Sequence, residues 1–267
     1  MTDGKPVGPI VATPVFTTSH ILLGLAAAII IGLSKTAVPG GGLLATPILA
    51  MVVSGRLIAG TTVPLLLVAD VIAVYWFGRN ARRDVLLPIA RSVALGFVAG
   101  TLFYVFVGAA GRSFDVVLGV TILVLVALQL LRFVRKSPAV DPSPAITNVV
   151  GVTGGFTTFV ANAAGPVINT YFVGIGLQKD ELIATSAWFY FGVNATKVPV
   201  YVGIQTWASG GKFFTANSLR YDLLLAPIVI VAMFVGRWLL HRIAQRTFTI
   251  AVLVLAAIAS TKLILGL

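Results

Sequence analysis

From residue 17 to residue 265 one apolar run follows another, separated by short polar or basic links. With 58% hydrophobic and only 10% charged residues, and a mean hydropathy of +1.02, the 267-residue chain carries more apolar surface than a soluble core can enclose. Lipid must be the solvent for most of it. The formal net charge of +11 raises nucleic acid as a partner, but the 19 basic residues stand singly or in small clusters between apolar runs and form no basic segment. Basic loops of a membrane protein account for them. Cysteine is absent, which excludes disulfides, thiolate metal sites and thiol nucleophiles. Residues 1–15 hold Lys5 as their one base and no small-residue cleavage pattern, so no cleaved signal peptide is expected.

The apolar runs fall at about 17–35, 42–54, 57–79, 85–109, 114–134, 145–163, 166–176, 180–203, 221–241 and 246–265. Most approach the roughly 20 residues that a spanning helix needs. The second and seventh are too short to cross as helices at about 1.5 Å per residue. Each follows a stretch where glycine and proline interrupt the apolar pattern: GLSKTAVPGGGLLATP at 32–47, and the weaker GVTGGFTTFVANAAGPVINT at 151–170.

Three prolines and an aspartate in KSPAVDPSP, residues 136–144, mark a linker between near-equal halves, 1–135 and 145–267. Shifting the second half back by 125 residues sets Gly40 against Gly165, Ala59 against Ala184, Thr61 against Ser186 and Gly78 against Gly203. Past an insertion near 205–218, Asp84 to Pro88 faces Asp222 to Pro227, and Arg112-Ser-Phe114 faces Arg246-Thr-Phe248. The expected fold is therefore all-α and polytopic, with ten transmembrane segments as two inverted five-helix repeats and short broken helices 2 and 7. Loop charge predicts the orientation. With both termini outside, the inner ends collect Arg79, Arg82, Arg83, Arg91, Arg132, Arg135, Lys136, Lys179, Arg237, Arg242 and Arg246, against Lys5, Arg56, Arg112, Lys212, Arg220 and Lys262 outside. Segments four, five, nine and ten are nearly featureless and read as lipid-facing scaffold.

Non-helical backbone at membrane depth is tolerated only where protein or a water-filled cavity covers it. Pro39 followed by Gly40, Gly41 and Gly42 predicts a turn there, and the short helix after it would aim free N–H groups and a partial positive charge inward. Gly165 and Pro166 predict the same at the second break. Two such helix N-termini near a pseudo-twofold axis suit a small anion. Lys35, beside Ser34 and Thr36, is costly at mid-membrane; a bound anion would supply its reason, and snorkelling to the inner surface is the other reading. Asn162 and Asn169 flank the second break, as amide donors to a ligand or as caps on unwound backbone. Thr157 and Thr158 are expected to bond back to their own helix.

In the eighth segment Ser186, Tyr190, Asn194, Lys197 and Tyr201 recur at three- and four-residue spacing, a polar stripe that should face the bundle interior. Asp70, the one acid well inside a segment, falls opposite Ala195 in the repeat alignment, beside Asn194 and Lys197. It would pair with Lys197, carry a coupling proton, or bond neighbouring hydroxyls while Lys197 reaches the outer interface. His20 and His241 stand at segment ends without a second ligand at metal spacing, and neither metal nor cofactor is expected. Lys35-Thr36 lacks the preceding glycines of a phosphate loop. The sequon Asn194-Ala-Thr196 lies inside a helix. Trp76, Trp188, Trp207 and Trp238 suit interface anchoring.

With Pro39-Gly40-Gly41-Gly42, Pro47 downstream and Asn162-Ala-Ala-Gly165-Pro166 in view, the chain resembles the TauE/SafE family of sulfite and organosulfonate exporters over nearly its whole length. The resemblance implies a bacterial inner-membrane secondary transporter of sulfite, sulfoacetate or a related sulfonate, working by alternating access without cofactor or metal. Many relatives carry a denser glycine cluster where Ala163 and Ala164 stand here. An anion channel is the near alternative. An intramembrane enzyme acting on lipid phosphate would need a paired acid and base, a metal cluster or an activated nucleophile, and the residues supply none. The oligomeric state is left open.

Overall fold

The computed structural model describes residues 17–36, 44–53, 55–106, 111–134, 140–209, 211–239 and 245–266. Those residues are mostly helical, with no strand among them. Ten α-helices follow in order: α1 (Thr18–Thr36), α2 (Ala45–Leu49), α3 (Arg56–Phe77), α4 (Arg83–Phe106), α5 (Arg112–Val134), α6 (Pro144–Ala161), α7 (Gly165–Gly174), α8 (Lys179–Trp207), α9 (Ala216–Leu239) and α10 (Gln245–Leu265). Among the described residues five stretches are long and apolar enough to cross a membrane: Thr18–Thr36, Arg56–Asn80, Arg83–Phe106, Arg112–Leu131 and Ala216–Trp238. This is a multi-pass membrane protein. Large apolar side chains on the outward faces of α4, α5 and α9, among them Leu95, Leu102, Val124, Leu128, Val231 and Phe234, are exposed and have lipid as their solvent.

Local signals set several of these ends. Ser143 accepts from the Ile146 N–H at the start of α6, just before Pro144. At α8 the Gln178 and Glu181 side chains cap each other's backbone reciprocally. The first described residue of the predicted linker bonds to the second short helix, Val140 N–H donating to Gly174 O at 2.9 Å. The eighth segment runs four residues past its expected end, to Trp207, because its polar stripe is buried against protein and needs no apolar pattern of its own.

Four helix pairs build the scaffold. α1 and α9 run parallel: Tyr221 Oη donates to His20 O at 2.5 Å, and farther along Gly32 meets Val229 and Ala232, then Thr36 meets Gly236. α4 and α6 also run parallel, from the Ser92–Asn148 bond at 2.6 Å, past Gly96 on Val152, to Tyr104 Oη on Val160 O at 3.3 Å. α3 and α8 are antiparallel, with Arg56 at Ala208, Asp70 at Asn194 and Gly78 at Trp188. α5 and α10 are antiparallel too, with Arg112 at Leu263 and Gly119 at Ser260. In lipid no hydrophobic force drives helices together, so close backbone approach has to supply the attraction. At Gly96 a Cβ would stand 2.4 Å from Val152 O and 2.6 Å from Phe156 N, contact that only glycine permits.

One end of the bundle is clamped by Arg56, which the loop-charge analysis places in the outer set. It is 2% exposed, and its guanidinium donates to Tyr104 O at 2.9 Å, Gly211 O at 3.1 Å and Ala208 O at 3.3 Å. Tyr104 lies in the last turn of α4 and Ala208 caps α8, so the cation rests on the negative ends of two helices. Phe213 covers it at 5.5 Å. At the opposite end Arg82, in solvent, joins Asp84 at 2.7 Å and Glu181 at 3.3 Å.

Two substitutions check this account by thermal melting in detergent. Gly96→Leu should destabilise by about 1–3 kcal/mol through overpacking against α6. Arg56→Met should cost about 1–3 kcal/mol by stranding buried carbonyls, whereas Arg82→Ala should leave the melting temperature nearly unchanged, because solvent screens its ion pairs.

Candidate functional site

The second break is a short non-helical passage between α6 and α7. Asn162 ends α6 at φ 52°, left-handed backbone that asparagine tolerates better than other side-chain-bearing residues. Its N–H returns to Thr158 O and that of Ala163 to Thr157 O, so the last carbonyls of α6 are satisfied. Gly165 and Pro166 then open α7 with no side chain capping its start. The first short helix approaches from the other half: Thr46 of α2 donates to Ala161 O at 2.8 Å, the last helical carbonyl before the turn. Gly40, Gly41 and Gly42 lie outside the described residues. α2 is only five residues long, so the helix-end contribution comes mainly from α7.

Beside these breaks runs a continuous polar chain. Lys35 Nζ, in the last turn of α1, lies 2.6 Å from Asp70 Oδ1 of α3. Asp70 Oδ2 accepts from Asn194 Nδ2 of α8 at 2.6 Å, and Asn194 Oδ1 accepts from Lys197 Nζ at 2.9 Å. Lys197 also donates to Asn162 Oδ1 at 2.7 Å and Thr158 Oγ1 at 2.9 Å, which engages all three of its N–H groups. Asp70 and Lys197 are both 0% exposed, while the Lys35 side chain keeps 12%. A branch leads to α7: Lys35 lies 4.4 Å above the Tyr190 ring, and Asn169 Oδ1 accepts from Tyr190 Oη at 3.3 Å and Ser186 Oγ at 3.2 Å.

The structure thus brings together Lys35, Asp70, Asn162, Asn169, Asn194 and Lys197, next to Gly165 and Pro166. Thr36 is excluded: it bonds back to Gly32 O at 3.3 Å and faces Gly236, because successive helical residues point about 100° apart. The suggested Asp70–Lys197 ion pair is replaced by Asp70–Lys35, since Asn194 stands between the carboxylate and the second ammonium. Lys197 is fully buried, and Lys35 turns onto Asp70. Thr157 bonds back into α6 as expected, at 2.9 Å to Thr153 O, but Thr158 turns to Lys197. Thr46 was not legible as a partner of the second break; its place before Pro47, in a segment too short to span, was the available signal. Asp222, expected at a segment edge, is buried in α9 at 4% exposure and contributes nothing to this cluster.

An enclosed group with two ammonium ions, one carboxylate and several amides is chemistry for holding an oxyanion. The family model described as Sulfite exporter TauE/SafE matches residues 23–263. The chain belongs to that family. Comparison with curated proteins and with solved structures gives no match. As a TauE/SafE member the protein falls among membrane transporters of sulfite or related anions, and the matched region contains every residue of the polar chain. Among the described residues no group of three or more His, Asp or Glu residues is placed to hold a metal ion.

The Lys35–Asp70 pair is testable by a double-mutant cycle in melting experiments. Lys35→Met alone should cost about 3–5 kcal/mol by leaving a buried carboxylate unpaired. Adding Asp70→Asn should recover most of that loss, because the remaining amide needs no counter-ion.

Proposed function

We propose that this TauE/SafE protein is a secondary transporter of a small sulfur oxyanion, sulfite or an organosulfonate, working by alternating access in a bacterial inner membrane. The observation that carries the reading is the Lys35–Asp70–Asn194–Lys197 chain lying against the uncapped start of α7. Lys35 is the charged anchor for the anion. Asn162, Asn169, Asn194 and the Gly165–Pro166 backbone orient it, and Lys197 holds Asn162 and Asn194 in place. Gly40, Gly41 and Gly42 complete the other half of the site in this proposal.

The packing supports the inverted five-helix repeats, 1–135 and 145–267 about the linker. Exchanging each helix for the one five places on turns α1 on α9 into α6 on α4, both parallel. It turns α3 on α8 and α5 on α10 into themselves, both antiparallel, as an inverted pair requires. Both termini lie outside on this reading, which sets the Arg82–Glu181 end in the cytoplasm. One way to the site is then closed. Tyr201, fully buried, stacks on Phe213 at 4.2 Å, with Tyr104 and Phe159 edge-on at 6.2 and 4.9 Å, and the Arg56 clamp lies beyond. On the other side Ser186 and Tyr190 are only partly buried. This packing supports a state with the outer passage shut.

Purified protein should melt higher in the presence of sulfite, sulfoacetate or methanesulfonate, by about 2.7 kcal/mol at a hundredfold excess over Kd. In proteoliposomes Lys35→Ala should abolish flux of the stabilising anion while the protein stays folded. Undiminished flux in that variant would defeat the site; a flux linear with voltage and blind to ion gradients would mark a channel instead.

A further inference from the structure

The carboxylate of Asp70 already gives Lys35 what an oxyanion would give it. The two groups are 2.6 Å apart. Of the two lysines only Lys35 has exposed side-chain surface, so an arriving anion meets it first. Lys197 has no N–H to offer, each being bonded to Thr158, Asn162 or Asn194. Adding an anion while Asp70 stays ionised would press two negative groups onto one ammonium. It would also leave a buried carboxylate short of its cation, at a cost of several kcal/mol. A proton on Asp70 removes both penalties.

We infer that the transported anion and Asp70 compete for Lys35, and that the displaced Asp70 takes one proton from the aqueous side, so that each monoanion is bound together with one proton. The inference rests on the reading of this cluster as the anion site. The proton bonds to Oδ1, the oxygen that gives up Lys35, while Oδ2 keeps the Asn194 amide at 2.6 Å. A monoanion and a proton arriving together leave the charge of the cluster as it was, so reorientation of the site moves the same charge with and without the anion.

Among the described residues the surroundings add no competing acid. Facing Asp70 are Lys35 from α1 and, from α8, Asn194 with Lys197 behind it. Nearby polar groups from α2 and α6 are the hydroxyls of Thr46 and Thr158, bonded to Ala161 O and Lys197. On α9, Arg237 lies over Trp76 at 5.0 Å, and neither Asp222 oxygen is bonded to the cluster.

The test is the affinity of the purified full chain against pH, from binding of radiolabelled methanesulfonate, a permanent monoanion, and of sulfite, with Asp70→Asn alongside. Wild-type affinity for methanesulfonate should fall about tenfold per pH unit wherever the empty site keeps Asp70 ionised. Asp70→Asn should bind several-fold more tightly, its internal competitor gone, with the slope abolished. A wild-type affinity that stays flat between about pH 5 and about pH 8, or an Asp70→Asn protein with the wild-type slope, overturns the inference alone. Binding of neither anion by wild type overturns the proposed anion site and the inference with it. Should Asp70→Asn not fold, a pH electrode in unbuffered detergent solution decides from wild type: one proton taken up per anion supports the competition, none refutes it. Where sulfite alone binds, the count is made at a pH acidic enough that sulfite is already the monoanion, so that a proton taken up goes to Asp70.

Discussion

Asp70 is the group on which the interior of this bundle depends. Two lysines enter a region where an unpaired ammonium is costly, and among the described residues one carboxylate answers both, Lys35 directly and Lys197 through the Asn194 amide. An amide suits that middle position because it donates with one end and accepts with the other. The chain fixes helices from both halves of the sequence relative to one another: α1 and α3 on one side, α6 and α8 on the other. Transport on the proposed reading uses the same bonds that hold the fold, so the site needs no separate scaffold.

The rest of the structure keeps that polar chain dry and aligned. Around it the helices meet through small residues, as at Gly96 on Val152 and Gly32 on Val229, where contact is close enough for dispersion to act without a hydrophobic driving force. The buried Arg56 applies a different solution to the same problem of a cation in lipid. It has no acid at ion-pair distance among the described residues and is neutralised by carbonyls at two helix ends. One basic residue is thus held by a charge that an anion can replace, and another by dipoles that cannot leave.

Much of this was legible in the sequence, for physical reasons that particular residues make plain. Apolar runs report lipid contact directly, so α1, α3, α4, α5 and α9 could be bounded to within a few residues. Gly165 and Pro166 announce the second break because few other residues suit that backbone. The spacing of Asn194 and Lys197 gives the inward face of α8. Spacing within one helix is silent about partners on another, however: it brought Asp70 near the right turn of α8 and then offered Lys197 where Lys35 is the ion partner. Lys35 itself could not be paired in advance, since its link to Asp70 depends on how α1 and α3 pack. Thr36 shows the converse error, a neighbour in sequence that a helix turns away. Arg56 looked like an outer loop charge because its acceptors are backbone carbonyls, which leave no mark in composition.

The bond from Thr46 to Ala161 O has a mechanical meaning. A carbonyl at the end of α6 would ordinarily be free to swing with the turn that follows it, yet here its acceptor is occupied by a side chain from the opposite half. The second break is therefore tied to α2 at its first turn. A displacement of α2 would pull on the passage that leads into α7, so this one bond links the two short helices mechanically.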